Sequence, residues 1–435
     1  MARCIIVEPN TTGEDNAEVR ERFHPLGLSL LFGLFYFIQG VSEPTEGLIA
    51  QPVRSLLKEW GQNAEQISTF AALLSLPWAI KPLYGLISDF IPLAGYHRKS
   101  YLIVASAVTS ASLGILYWRD LPPGSVDTLF VLLLLPTLGV AFSDVVIDAL
   151  MVEKGQPRGL TGRLQAVQWG AIWAATILTG SLGGYLSQHS QQRLGFLICG
   201  GMMLGTLVLS LLVVSEQRVG YRTAHFHSTL AILRQAAASR TILSAGLFLF
   251  LWNFNPFSTT VLYLYSTRSL DYSEQFYGNL TSLGAVGAMT GSLVYGLYCH
   301  RVPMRALIHL SIALGVFSNF AYWLMRSETS AAVIFTVTGF TTATAIMVQL
   351  DLAAQVCPPR TAGTLFALMM SLSNLGTSLS TWFGGWFYEA WLPWGNPLAF
   401  NLLVGVGALF TAGCWLVVPL LRRGPPRTFP ANNST

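Results

Sequence analysis

Two carboxylates stand where apolar residues are expected. The stretch Gly139 to Glu153 reads GVAFSDVVIDALMVE, inside an apolar run from Leu129 to Val152 that is long enough to cross a bilayer as a helix. Asp144 and Asp148 are spaced i, i+4, so a helix places both on one face. A carboxylate in hydrocarbon costs at least ~2.5–3.5 kcal/mol on insertion scales, so that face must look at protein or water. Two like charges one turn apart repel, and the repulsion favours one of them taking up a proton. The chemistry this pair could carry is proton uptake inside a membrane. The alternative is a polar clamp between helices.

Lys81 is the cation placed to meet them. It sits in an apolar run that crosses in the same direction as the Asp144 run, and both residues fall about one turn from the middle of their runs, toward the same end. The pattern predicts a buried Lys81–Asp144 pair; the alternative is a lysine that snorkels to the headgroups. An anionic ligand that competed for Lys81 would release its carboxylate partner to accept a proton. Glu43 and Glu46 flank Pro44, which must break the helix it sits in, and Asn253, Asn255 and Pro256 repeat the arrangement later. Broken helices with polar groups at mid-membrane point to a binding site. For Glu46 the alternative is an outer vestibule, where water makes its charge cheap. Trp78, Trp169, Trp173 and Trp252, with Gln165 and Gln168, could offer flat faces and amides to a planar ligand; the alternative for each tryptophan is packing. Asp351 is a further carboxylate in an apolar run.

The elements that must position these groups are membrane helices. The 435 residues are 52% hydrophobic and 11% charged, against about 25% charged in a soluble domain, and mean hydropathy is +0.51. Twelve spans are predicted, at 26–50, 66–88, 100–118, 128–152, 164–187, 194–214, 242–265, 276–299, 306–325, 330–352, 362–387 and 397–420. Eighteen of the 25 Lys and Arg fall on the side holding both termini and six on the other, with Lys81 inside a span, which predicts cytoplasmic termini. The organisation is an N-tail at 1–24, a six-helix bundle at 25–214, a linker at 215–241, a second bundle at 242–421 and a C-tail at 422–435. In the linker, Phe226–Leu233 has helical apolar spacing and reads either as an interfacial helix or as a polar linker. The acidic N-tail lacks the pattern of a signal or transit peptide.

The halves repeat. Tyr84-Gly85-Leu86 recurs as Tyr295-Gly296-Leu297, Pro44 as Pro256, Gly183-Gly184-Tyr185 as Gly384-Gly385-Trp386, and Asp148 lies near Asp351, at offsets of 201 to 212 that keep helix order. Tandem six-helix repeats with a site at their interface are the layout of a secondary transporter. No phosphate-binding loop, HExxH or GxSxG occurs, the five cysteines lie apart, and the seven histidines do not cluster in the spans. Enzyme, metal, cofactor and nucleic-acid readings have no residues to carry them.

At the end of the second span runs KPLYGLISDFIPLAGYHRKSY, Lys81 to Tyr101. Gly85, Asp89, Gly95, Arg98 and Lys99 resemble the loop motif of the major facilitator superfamily, with Phe90 in place of the usual Arg and a longer gap from Asp89 to Gly95. Together with DVVIDALMVE, the longer form is similar to the folate–biopterin transporter family of that superfamily. The resemblance implies an all-α membrane protein of twelve transmembrane helices in two pseudo-symmetric bundles, in the cell (inner) membrane. It also implies uptake of folates or pterins coupled to protons, with no cofactor, as a monomer. The site expected is Glu43, Lys81, Asp144, Asp148, Gln168, Trp173, Trp252, Asn253, Asn255 and Asp351, with Gly85, Asp89, Arg98 and Lys99 as a gate. Asp89 could rest on the helix N-terminus near Thr361 to Thr364, completed by Arg98 and Lys99. The rival readings are a related carrier for another organic anion, such as a muropeptide-type permease, and a membrane receptor that keeps the fold without turnover.

Overall fold

Hydrocarbon offers no partner for a backbone amide, so an apolar chain of this composition must satisfy its backbone inside helices. The computed structural model describes residues 25–218, 239–357 and 362–421, and those residues are almost wholly helical. The tails and Phe226–Leu233 lie outside them. In order the helices are α1 (Pro25–Ser42), α2 (Ala50–Glu59), α3 (Ala64–Ser75), a 3-10 turn (Leu76–Ile80) into α4 (Lys81–Phe90), α5 (Lys99–Trp118), α6 (Val126–Gly155), α7 (Thr161–Gln188) and α8 (Gln192–Leu212). The second half runs α9 (Arg240–Asn253), α10 (Thr259–Arg268), α11 (Glu274–Tyr298), α12 (Met304–Ala321), α13 (Glu328–Val356), α14 (Ala362–Trp391) and α15 (Asn396–Gly413). Nine of the described helical stretches are long and apolar enough to cross a membrane by themselves; α7, the α9–α10 pair and α14 complete an order consistent with twelve. Exposed apolar residues recur at i, i+4, as Leu26, Leu30 and Leu34 on α1 and Leu204, Val208 and Leu212 on α8 do, so these stripes face lipid.

Both proline breaks form. α1 stops at Ser42, and the chain resumes as α2 beyond Pro44; α9 stops at Asn253 and resumes as α10 beyond Pro256. The first crossing is longer than predicted. It reaches Glu59 rather than residue 50, because the charged run Arg54 to Glu59, which reads as loop, is the amphipathic outer half of the broken helix.

The paired glycines show why the halves match. Gly183 on α7 packs on the Leu48 carbonyl in the first break, and Gly384 on α14 packs on the Pro256 carbonyl in the second. Their neighbours reach across to the other half: Gly184 meets Gly278 on α11, and Gly385 meets Ser68 on α3. A Cβ at Gly184 would stand 2.9 Å from the Gly278 Cα, and one at Gly385 2.2 Å from the Ser68 Cβ, so only glycine permits these approaches. All four contacts lie toward the end opposite the termini. The largest buried apolar cluster, which joins Leu48, Leu57 and Leu186 of one half to Val261, Tyr277 and Phe400 of the other, closes that end. There Glu274, at the start of α11, takes Lys58 of α2 in an ion pair and also accepts from Tyr263 and Gln51.

Candidate functional site

The second crossing is deformed where its lysine lies. Pro77 and Pro82 lack amide donors, and between them the helix tightens into the 3-10 turn that carries Trp78 and delivers Lys81. Pro82 leaves the Trp78 carbonyl without its usual i+4 donor; Asn374 of α14 supplies one from the other half at 2.9 Å.

From this turn Lys81 reaches α6. Its Nζ lies 2.5 Å from Asp144 Oδ2 and 4.5 Å from the centre of the Trp78 ring. The other oxygen of Asp144 accepts from Gln39 Nε2 of α1, also at 2.5 Å. Both oxygens of this buried carboxylate are therefore committed. One turn on, Asp148 uses a single oxygen: Oδ1 accepts from Tyr36 OH at 2.5 Å and from Gln168 Nε2 of α7 at 3.2 Å. The Trp78 indole donates in turn to Glu43 Oε1 at 3.1 Å. Glu43 also takes the Thr45 amide at 2.8 Å, the Thr45 hydroxyl at 2.7 Å and the Glu46 amide, so this buried carboxylate satisfies the amides that the break leaves free beyond Pro44. Glu43, Trp78, Lys81 and Asp144 thus form one chain across α1, the 3-10 turn, α4 and α6, with Asp148 and its partner Gln168 of α7 one turn further along α6.

The second half holds its predicted residues differently. Asn255 Oδ1 accepts the Phe257 amide at 3.1 Å and caps the second break, while its amide nitrogen donates to Asn319 at 3.0 Å. Asn253 donates to Gln349 at 2.9 Å. Trp252 packs near Gly315, with its indole N–H buried and without an acceptor among the described residues. Asp351 has partners of its own in this half: Tyr295 at 3.2 Å and Gln355 at 3.0 Å. Trp173, on α7, spends its indole N–H on Ser292 of α11 at 3.2 Å, tying the halves together beside the Trp169 ring.

The residues predicted as a gate gather at the end where α1 begins. Arg98, buried, pairs with Asp89 at 2.6 Å and Glu153 at 2.9 Å, and donates to Ser88 at 2.8 Å. Gly85 of α4 faces Val145 of α6. The Lys99 ammonium instead donates to the Leu211 carbonyl, so it stands outside the Asp89–Arg98–Glu153 group. Thr361 lies outside the described residues.

Sequence reasoning missed Tyr36, Gln39, Asn374 and Glu216. Tyr36, Gln39 and Glu43 make a polar i, i+3, i+7 stripe on an apolar helix, a faint signal that was there to read. Glu216 accepts the amides of His97, Arg98 and Lys99 at 2.8–3.1 Å, capping α5 from the far end of the half; nothing local marks it.

An all-helical chain in two matched halves, with its first and seventh crossings broken and its polar groups turned inward, is a membrane transporter of the major facilitator fold. Solved structures agree on the fold. A nucleoside transporter, NupG, superposes with a TM-score of 0.69 at 12% identity, over 91% of this chain and all of that one. A D-xylose–proton symporter gives 0.67 at 14%, over 92% and 98%. The family model described as the BT1 family matches residues 45–407. The chain belongs to that family, the folate–biopterin transporters. It is 30% identical to a folate-biopterin transporter of Synechocystis sp. over 79% of this chain and 71% of that protein, and 25% identical to a probable folate-biopterin transporter 4 of Arabidopsis thaliana over 81% and 86%.

Proposed function

We propose that this transporter takes up folates or pterins across the cell (inner) membrane by proton symport and alternating access. The relatives' names support the substrate class. The observation that carries the coupling is the unequal use of two neighbouring carboxylates. Asp144 spends both oxygens, on Lys81 and Gln39, whereas Asp148 keeps one oxygen outside any hydrogen bond among the described residues. Lys81 and Gln39 occupy Asp144, and Asp148 is the group that takes the coupling proton, which removes the repulsion between the two. Lys81 is enclosed by Asp144 and the Trp78 face, so proton entry at Asp148 replaces competition by an anion as the coupling step. The excess of basic residues on one side supports cytoplasmic termini. A cysteine at exposed Arg119 should then label from outside.

The test is uptake of labelled biopterin and folic acid into proteoliposomes, with and without an inward proton gradient. Accumulation above equilibrium that collapses with a protonophore is expected. Uptake that equilibrates and ignores the gradient would refute symport.

A further inference from the structure

A cavity of about 350 Å³ lies between the halves. Its walls come from α2, α3, both helix breaks and the helices packed around the second break. They are mostly hydroxyls and amides, such as Ser75, Thr338, Thr381 and Asn253, and the charges among them are Glu46 and Arg54. Lys81, Asp144 and Asp148 take no part in the lining.

One buried donor in this wall lacks a partner, and one exposed carboxylate stands open to a ligand. The buried Trp252 N–H has no acceptor among the described residues, although buried donors are nearly always satisfied. The Glu46 carboxylate has no hydrogen-bond donor among the described residues, while Glu43, three residues earlier, is filled by Thr45, Glu46 and Trp78. Arg54 gives one N–H to the Thr45 carbonyl at 2.9 Å, and its charge is set against Glu46.

An aminopyrimidinone ring with a hydroxylated side chain has what these groups lack. Its adjacent ring N–H and amino group form parallel donors that a carboxylate accepts in bidentate fashion. Its carbonyl is an acceptor, and each side-chain hydroxyl both donates and accepts. A glutamate conjugate adds two carboxylates. Among the described residues the spans hold Lys81, Arg54 and Lys58 against Glu43, Glu46, Asp144, Asp148, Asp351 and Glu274, with Lys81 committed to Asp144 and Lys58 to Glu274. Two more anions could not be neutralised there, and buried charge without a partner is costly. The volume is near the low end of the ~300–1,000 Å³ usual for small-molecule sites, which also favours the smaller ligand.

Resting on the reading above that the carrier moves pteridines, we propose that this chamber is the substrate-recognition site. It selects an unconjugated pterin with a hydroxylated side chain over a glutamate conjugate. Glu46 reads the donor edge of the ring and Trp252 its carbonyl.

The test is equilibrium binding of biopterin and of folic acid to the purified carrier, for the wild type, Glu46→Gln and Trp252→Phe, with uptake of each compound in proteoliposomes. Biopterin should bind at least on the order of ten-fold more tightly than folic acid. Glu46→Gln should weaken biopterin on the order of ten-fold and Trp252→Phe several-fold, with unchanged thermal unfolding. A preference for folic acid would overturn the selectivity while leaving the pteridine reading intact. Biopterin binding that Glu46→Gln leaves untouched would overturn the site. If neither compound binds or moves, the pteridine reading itself has failed. The wild-type preference stands as a test even if a variant does not fold.

Discussion

At the first helix break, Glu43 precedes Pro44 and accepts the amides of Thr45 and Glu46. At the second, 212 residues on, Asn255 precedes Pro256 and accepts the amide of Phe257, the counterpart of Thr45. Proline opens the helix in the same register, and the residue before it repairs the opening with a side-chain oxygen. The glycine pairs on α7 and α14 treat the breaks alike as well. What differs is charge. The first break is capped by a carboxylate that leads through Trp78 to Lys81, Asp144 and Asp148, and the second by a neutral amide joined to Asn319. A repeated backbone thus carries two chemistries. We assign proton coupling to the charged half and hydrogen-bond recognition mainly to the amide half.

The largest effect should come from cutting the charged half. Lys81→Ala strands Asp144 in a buried site, a loss of ~3–5 kcal/mol, and should abolish accumulation and lower the yield of folded protein. Lys81→Ala with Asp144→Asn should recover much of that stability, read as thermal unfolding in detergent. A double variant no more stable than Lys81→Ala would mean that the pair is not the unit.

A smaller change sharpens the comparison of the caps. Glu43→Gln presents an amide, as the second break already has, yet turns N–H groups toward donors that Glu43 accepts. It should destabilise by ~1–3 kcal/mol in the same assay. A neutral outcome would show that the first break needs no charge.

The smallest effect on stability belongs to Asp89, whose side chain is half exposed and whose partner Arg98 keeps Glu153 and Ser88. Asp89→Asn should cost ~0–1 kcal/mol of stability, yet slow transport while sparing substrate binding from outside. Transport at the wild-type rate would leave Asp89 with a topological role alone.

The charged half was the more legible in the sequence. Lys81 and Asp144 each stand out because an ion in an apolar run demands a partner, and equal depth identified it. Pro44 and Pro256 announced the breaks, because a missing amide is a local fact. The answers to those local demands were not local. Asn374 satisfies the carbonyl freed by Pro82 from 296 residues away, and Gln39 is one neutral side chain in an apolar helix until the fold brings Asp144 to it. The outer half of the first crossing was hidden because Arg54 and Lys58 look like loop residues until α10 and α11 cover them. The same holds for the chamber, whose hydroxyls are scattered over many helices and acquire meaning only when they face one cavity.

The division between the halves is tested most directly by comparing Asp148→Asn with Asp351→Asn, the two carboxylates that the repeat places in corresponding helices. Proton-driven accumulation and substrate exchange without a gradient would be measured for each in proteoliposomes. We expect Asp148→Asn to lose accumulation and keep exchange, and Asp351→Asn to keep both with unchanged pH dependence. Full accumulation by Asp148→Asn, or its loss in Asp351→Asn alone, would contradict the assignment of coupling to the charged half.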